Sequence, residues 1–373
     1  MRYPEFLKEN GTIGFVAPSF GCNIEPYRSA FENAQKKFKA LGYQVHLGPN
    51  CYAGEGIGIS NTPEKCGAEL TEGYIGKESD CLISCGGGEL MCEILEHVDF
   101  EAIKKAEPKW YMGYSDNTNM TFLLATLCDT ASVYGPCAAA FGMEPWHPAL
   151  QDAFDIFTGK STDVSSYDKW EKEGLKDEEH PLLPYYCTEK SEVKVFVPEK
   201  SAEQAWQEKE TVLSGEDVQI QAGSGAILVP GESAHIKGRL LGGCMDCLVN
   251  LTGTKFDKVK EFNDTYKEDG IIWFLESCDL NVFAIRRAMW QMEQAGWFEN
   301  VKGFIIGRPL CHGQEMMGLD QYQAVLYTAA KHQVPVIMDA DLGHLPPMMP
   351  LVTGGLAEVT AKDGKVKIQT EYK

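Results

Sequence analysis

The sequence predicts an α/β fold in two parts. Three observations carry that reading. Short apolar runs alternate with amphipathic stretches through the first third; the texture turns charged and proline-containing between about residues 158 and 216; β-like segments then restart. Strands traded with helices mark a sheet covered by helices. The length agrees, because 373 residues at roughly 150 per domain make two domains. We place an N-terminal α/β domain at 1–160, a charged connector or lid at 161–216, and a C-terminal domain at 217–373.

Residues 12–17 form the first expected strand, closed by the turn-rich Pro18-Ser19-Phe20-Gly21. Residues 27–41 have helical period, with Phe31, Ala34, Phe38 and Leu41 on one stripe and Gly42 as a C-cap. Residues 43–47 are the next strand. Residues 80–84 are an apolar strand running into Cys85-Gly86-Gly87-Gly88-Glu89, and a helix is expected over 90–97. A fourth strand covers 110–113. Beyond Ser115, Met120, Leu123, Leu124 and Leu127 recur at i, i+3, i+4 and i+7, the spacing of a helix with one buried face. In the second part, strands are expected at 225–229, 235–240, 271–275, 303–307 and 334–338, with helices at 242–251 and 282–295. No repeat of fixed period is present.

Charge narrows the function. There are 34 Lys and Arg against 54 Asp and Glu, a net charge of −20. A field of that sign repels polyphosphate, so nucleic acid and anionic membranes are excluded as expected partners. No apolar run approaches the roughly 18 residues that span a bilayer, and residues 1–16 lack the basic and apolar regions of a secretory leader. Thirteen cysteines, an odd number scattered through apolar contexts, read as reduced core thiols. We expect a cytoplasmic protein.

The leading candidate for chemistry is Ser115 in Gly113-Tyr114-Ser115-Asp116-Asn117, at the joint between an apolar strand and an amphipathic helix. A sharp strand-to-helix turn lifts such a serine above the sheet edge, and the helix start offers N–H groups where an oxyanion would form. Asn117 stands where the G-x-S-x-G pattern has its last glycine. The competing reading is a plain Ser or Asp N-cap. Glu276 ends the apolar run Ile271-Ile272-Trp273-Phe274-Leu275, which points its carboxylate into the crevice where α/β proteins bind ligands. Of eight histidines, His344 alone sits on a Gly/Pro-shaped loop at a strand exit. The order Ser, acid, His is that of α/β-hydrolases and proves no kinship. In such a set His344 takes the serine proton and Glu276 holds the imidazole. The Gly86-Gly87-Gly88 turn and the Asp116 amide are candidate oxyanion donors.

Other motifs weigh less. The glycine turn matches neither dinucleotide nor Walker patterns. Cys244-Met245-Asp246-Cys247 is a lone CxxC without a second metal-spaced pair, read as small residues on a packed helix. Trp146 and Trp206 could stack on a ligand, although isolated aromatics are common.

Together these stretches resemble the LD-carboxypeptidase family of serine peptidases, which includes the microcin C immunity proteins. The matching residues are Gly11 to Ser19, Gly86-Gly87-Gly88, Gly113 to Thr118, Tyr134-Gly135-Pro136, Gly238 to Gly243, Phe274-Leu275-Glu276, and Gly343-His344 followed by prolines. They run nearly end to end. The resemblance implies Ser115 as nucleophile, Glu276 as acid and His344 as base, with Gly87 and Asp116 amides as oxyanion hole. It implies a flavodoxin-like parallel α/β domain plus a β-rich mixed domain, the site between them, a homodimer, and neither cofactor nor metal. The implied substrates are an L,D-linked muropeptide losing its terminal D-residue, as in peptidoglycan recycling, or an aminoacyl-nucleotide of the microcin C type. Trp206 is then the candidate for stacking on the nucleobase, with Gly88 a further ligand contact. Arg286-Arg287 stands where many carboxypeptidase members have Asp-Arg, a departure that bears on substrate preference. The rival from another class is a non-catalytic binder of a peptide or nucleotide conjugate.

Overall fold

The computed structural model describes residues 1–199, 220–221 and 227–372. Trp206 lies outside the described residues.

The first part builds one sheet from β1 (Thr12–Val16), β2 (Gln44–Leu47), β3 (Cys81–Ser84), β4 (Trp110–Gly113) and β5 (Ser132–Tyr134). They are parallel in the order β2-β1-β3-β4-β5. This is the flavodoxin-like order, whose ligand crevice opens at the carboxyl ends of the strands beside the switch between β1 and β3. The loops after β1, β3 and β4 carry Ser19, Gly86 to Gly88, and Ser115. Strands 3 and 4 are buried on both faces, which is why they read as unbroken apolar runs. The stripe expected on residues 27–41 appears in the helix Tyr27–Ala40, where Ala30, Phe31, Ala34 and Phe38 are buried.

The second part is a sheet of ten strands among the described residues. Its members are β6 (Asp163–Ser165), β9 (Lys194–Pro198), β10 (Ile220–Gln221), β11 (Ile227–Gly231), β12 (Ser233–Cys244), β13 (Ile271–Glu276), β14 (Val301–Gly307), β17 (Val336–Ala340), β19 (Leu356–Lys362) and β20 (Lys365–Glu371). Two two-stranded antiparallel pairs account for β7 (Lys169–Trp170) with β8 (Glu189–Lys190), and β15 (Glu315–Met316) with β16 (Leu319–Asp320). Strands 12, 13, 14 and 17 are mutually parallel and the flanking strands antiparallel. Glu276 closes β13, and His344 follows β17 by a few residues, so both stand at the carboxyl edge of that parallel centre.

Several expectations shift. The stretch 161–216, read as a connector, supplies β6 and β9 to the large sheet; β6 pairs with β20 and β9 with β17. β6 is an edge strand and β9 lies between β11 and β17; both are short and set in charged sequence, which hid the pairing. From the C-terminal part, β18 (Leu351–Thr353) crosses back to pair with β5 in the first sheet. Residues 242–244, expected in a helix, extend β12, and the helix is Met245–Leu251. Gly242 and Gly243 adopt φ of 154° and 145°, a conformation open to glycine. Residues 90–97 form a 3-10 turn at Met91–His97 rather than an α-helix. One apolar core runs without a break from Phe15, Phe31 and Phe38 to Leu240, Phe274, Ile305 and Ile337, joining the two parts.

Candidate active site

Ser115 leaves β4 with φ at 62°. A non-glycine residue held there stores about 1–3 kcal/mol of strain, kept only where the surroundings enforce it. The enforcement is visible. The Ser115 N–H donates to the Tyr134 hydroxyl at 3.2 Å. The Asn117 amide donates to the Gly86 carbonyl at 2.8 Å and to the Tyr114 carbonyl at 3.2 Å, while its oxygen accepts from Tyr111. The residue that departs from G-x-S-x-G therefore ties the serine turn to the glycine turn. Asp116 is tied as well, accepting from Ser19 Oγ at 2.5 Å and the Met91 N–H at 2.8 Å. Burial pushes its carboxyl up, against those hydrogen bonds.

The glycine turn lies directly against the serine. A Cβ on Gly87 would stand 3.0 Å from Ser115 Cβ and 3.1 Å from its Oγ. On Gly88 it would collide with Ser19 Oγ. The Gly87 carbonyl accepts from the Phe20 N–H at 2.7 Å, which fixes the orientation of the turn.

Glu276 and His344 meet the serine from the second sheet. His344 Nε2 is 2.9 Å from Ser115 Oγ, and its Nδ1 is 2.8 Å from Glu276 Oε2. The other carboxylate oxygen, Oε1, accepts from the Tyr134 hydroxyl at 2.5 Å. Gly343, at φ 101°, lets the histidine loop descend onto the acid: a Cβ there would stand 2.7 Å from Glu276 Oε2. The Tyr114 ring packs against the imidazole with centroids 5.2 Å apart. Burial alone would raise the Glu276 carboxyl. The facing His344 charge, then hydrogen bonds from His344, Tyr134 and Cys244, outweigh it and leave the group below the ordinary carboxylate range. Burial pulls His344 down, but the Glu276 carboxylate and hydrogen bonds with Cys278 and Glu276 carry it well above the ordinary imidazole value. An imidazolium is thus a stabilised species here.

Two contributors escaped the sequence reading. Tyr134 appears in a quoted motif, yet nothing local shows that its hydroxyl bridges Ser115 and Glu276. The CxxC pair brackets the site instead of merely packing a helix. Cys244 lies opposite Glu276 in the parallel register of β12 and β13, and the Cys247 thiol donates to the Ser115 carbonyl at 3.6 Å. The signal was the strand end at Gly243-Cys244, parallel to the strand ending in Glu276. Both thiols are buried, in keeping with small residues packed in the interior. Trp146 is no ligand platform: its indole N–H donates to the Phe141 carbonyl at 2.6 Å, and it packs among Phe38, Phe141 and Phe154. Among the described residues, one group of side chains is spaced to hold a metal ion, namely Cys244, Glu276 and His344.

A flavodoxin-like sheet that brings a strained serine to a histidine and a buried acid from a second, β-rich sheet defines a two-part α/β protein with a Ser-His-Glu relay at the junction. The chain belongs to the LD-carboxypeptidase family. The family's N-terminal domain matches residues 13–135 and its C-terminal domain residues 237–359. A Treponema pallidum protein named "Putative carboxypeptidase" is 23% identical over 370 residues, covering 97% of this chain and 94% of its own. The microcin C7 self-immunity protein MccF superposes with a TM-score of 0.75 at 19% identity, over 99% of this chain and 98% of its own. An MccF-like protein from Bacillus anthracis str. Ames gives 0.74 at 20% identity, over the whole of both chains. At those identities the likeness is one of fold. MccF has been solved in complex with glutamyl sulfamoyl guanosine and aspartyl sulfamoyl adenosine.

Proposed function

We propose that the chain is a serine peptidase that hydrolyses an amide bond in a small peptide or peptide-like conjugate. The observation that carries this reading is the continuous relay from Ser115 Oγ through both nitrogens of His344 to Glu276, with spacings of 2.9 and 2.8 Å. Ser115 is the nucleophile. As its oxygen attacks the carbonyl carbon, its proton passes to His344 Nε2, and the imidazolium is held by Glu276 through Nδ1. The oxyanion is received by the Gly87 and Asp116 amides, the first lying against Ser115 and the second starting the turn that follows it. His344 then returns the proton to the leaving amine, an acyl group remains on Ser115, and water activated by His344 releases it. Gly88 lines the same turn.

Two substrates fit that chemistry: an L,D-linked muropeptide losing its terminal D-residue, and an aminoacyl-nucleotide conjugate. Family membership supports the first and the sulfamoyl nucleosides held by MccF the second. The same reading includes a homodimer in the cytoplasm. The test is mass spectrometry of products from the purified chain and from Ser115→Ala, each given an L,D-tetrapeptide muropeptide and an aminoacyl sulfamoyl adenylate. Loss of D-alanine that depends on Ser115 establishes the carboxypeptidase, and Ser115-dependent cleavage of the conjugate alone establishes the other branch. Binding without turnover of either leaves the non-catalytic binder.

A further inference from the structure

Three metal-binding side chain types converge behind the catalytic serine. The Cys244 thiol, a Glu276 carboxylate oxygen and a His344 ring nitrogen all lie within 4.8 Å of one another. Cys244 and Glu276 come from facing positions of adjacent parallel strands, so the backbone fixes their separation, and the 2.8 Å bond from His344 Nδ1 to Glu276 Oε2 fixes the third donor. A tetrahedral ion with bonds near 2.0–2.3 Å sets its ligands roughly 3.4–3.7 Å apart, within reach of this set by small side-chain shifts. One thiolate, one imidazole and one carboxylate form a borderline-soft donor set that suits zinc and disfavours magnesium or calcium. The outer support is present too. Tyr134 holds the Glu276 oxygen facing away from His344, at 2.5 Å, and such second partners orient ligating carboxylates.

We propose that Cys244, Glu276 and His344 form an inhibitory site for a single zinc-class divalent ion, seated inside the catalytic relay; the inhibition, though not the binding, rests on the triad reading above. The ion takes the place of the proton between His344 Nδ1 and Glu276. On a neutral His344 the Nδ1 proton moves to Nε2; on an imidazolium, which already carries Nε2–H, it leaves to solvent. In both cases Cys244 also releases its thiol proton to solvent. His344 then presents Nε2–H to Ser115 and has no lone pair with which to accept the serine proton. Water fills the fourth coordination position. His344 keeps part of its side chain exposed, 13%.

The test uses the full chain kept reduced. Zinc is titrated against a chromophoric chelator, cobalt(II) is titrated while the near-ultraviolet thiolate-to-cobalt band is recorded, and hydrolysis is followed with zinc and again after a strong chelator is added. The expected result is one equivalent of metal, a thiolate band, and inhibition that the chelator reverses. In Cys244→Ser the band disappears and zinc binds at least about tenfold more weakly, whereas Cys278→Ser keeps both. A band that survives Cys244→Ser, one lost instead in Cys278→Ser, or no metal bound to the parent chain overturns the site. If Cys244→Ser does not fold, Cys244→Ala and His344→Gln are put through the same titrations, and metal binding of parental strength in either overturns it equally. A parent chain that binds metal but hydrolyses nothing contradicts the peptidase reading and leaves the metal site standing.

Discussion

Replacing Tyr134 by phenylalanine removes one oxygen and two contacts, the 3.2 Å bond from the Ser115 N–H and the 2.5 Å bond to Glu276 Oε1. Tyr134 is fully buried and Glu276 is 1% exposed, so no solvent replaces the lost donor. Burial also keeps the tyrosine hydroxyl protonated, which makes it a donor at every working pH. A hydrogen bond to a charged group contributes about 1.5–3 kcal/mol. At 1.36 kcal/mol per pKa unit that corresponds to about one to two units for a group charged in one state only. Glu276 is a carboxylate whether or not His344 is protonated, so only a fraction of it reaches His344, and the acidic limb of the rate profile moves to higher pH by that fraction. The serine also loses a restraint on its left-handed backbone, and we expect kcat to fall about ten- to a hundredfold with KM nearly unchanged. The assay is kcat and KM from pH 5 to 10 for both proteins, with thermal melts alongside. Melting shifted by several degrees with the pH limb in place would show a tyrosine that supports packing alone and would refute the bridging role.

Four further outcomes are expected. In the parent chain kcat/KM should rise with pH, because His344 must be neutral to accept the serine proton, and the limb should lie above the ordinary imidazole value since Glu276 raises His344; a limb below pH 6 contradicts that ion pair. The sign for stability is opposite. A raised histidine contributes stability below its unfolded pKa and loses it as pH climbs through the folded one, which melts of His344→Gln against the parent at pH 6 and 10 detect. If Gly87 has the oxyanion role proposed for it, Gly87→Ala should cut kcat by up to about 10²–10³, the range for a lost oxyanion donor, because its Cβ would stand 3.1 Å from Ser115 Oγ and push the turn, with its N–H, away from the serine; product-burst kinetics with a chromogenic ester would show the acylation step slowed. Thr118→Ala leaves the Cys244 N–H, bonded to Thr118 Oγ1 at 3.0 Å, buried without a partner, a cost of about 1–3 kcal/mol measurable by denaturant unfolding.

What the sequence disclosed follows from where its information is local. The strands ending at Ser84, Gly113 and Glu276 are buried on both faces, so they show as apolar runs, and each marks the crevice by ending in it. His344 was legible because Gly343 and the prolines shape its loop. The rest depends on contacts between distant segments. Strands 6 and 9 are only three and five residues long, too short to show a period, and β18 is three residues long. Tyr134 and Cys244 reach the site only through register, Tyr134 beside Gly113 and Cys244 beside Glu276.

The relay is divided between two sheets, so its 2.9 Å step from serine to histidine depends on how those sheets are registered. Three contacts beside the site set that register. The Cys244 N–H bonds Thr118 in the helix that Ser115 begins, the Cys247 thiol bonds the Ser115 carbonyl, and Tyr134 bonds Glu276. Gly243 completes them, since a Cβ there would stand 2.6 Å from Thr118 Cγ2 and wedge the sheets apart. A serine and histidine separated by 1 Å more no longer share a proton well, and misplacement of that size costs about a hundredfold in rate. The continuous core beneath, from Phe15 to Phe274 and Ile337, resists such a shift over a far larger area. The CxxC cysteines thus have a structural role distinct from thiol chemistry: small, buried and able to bond weakly, they let two backbones approach where a larger side chain would hold His344 away from Ser115.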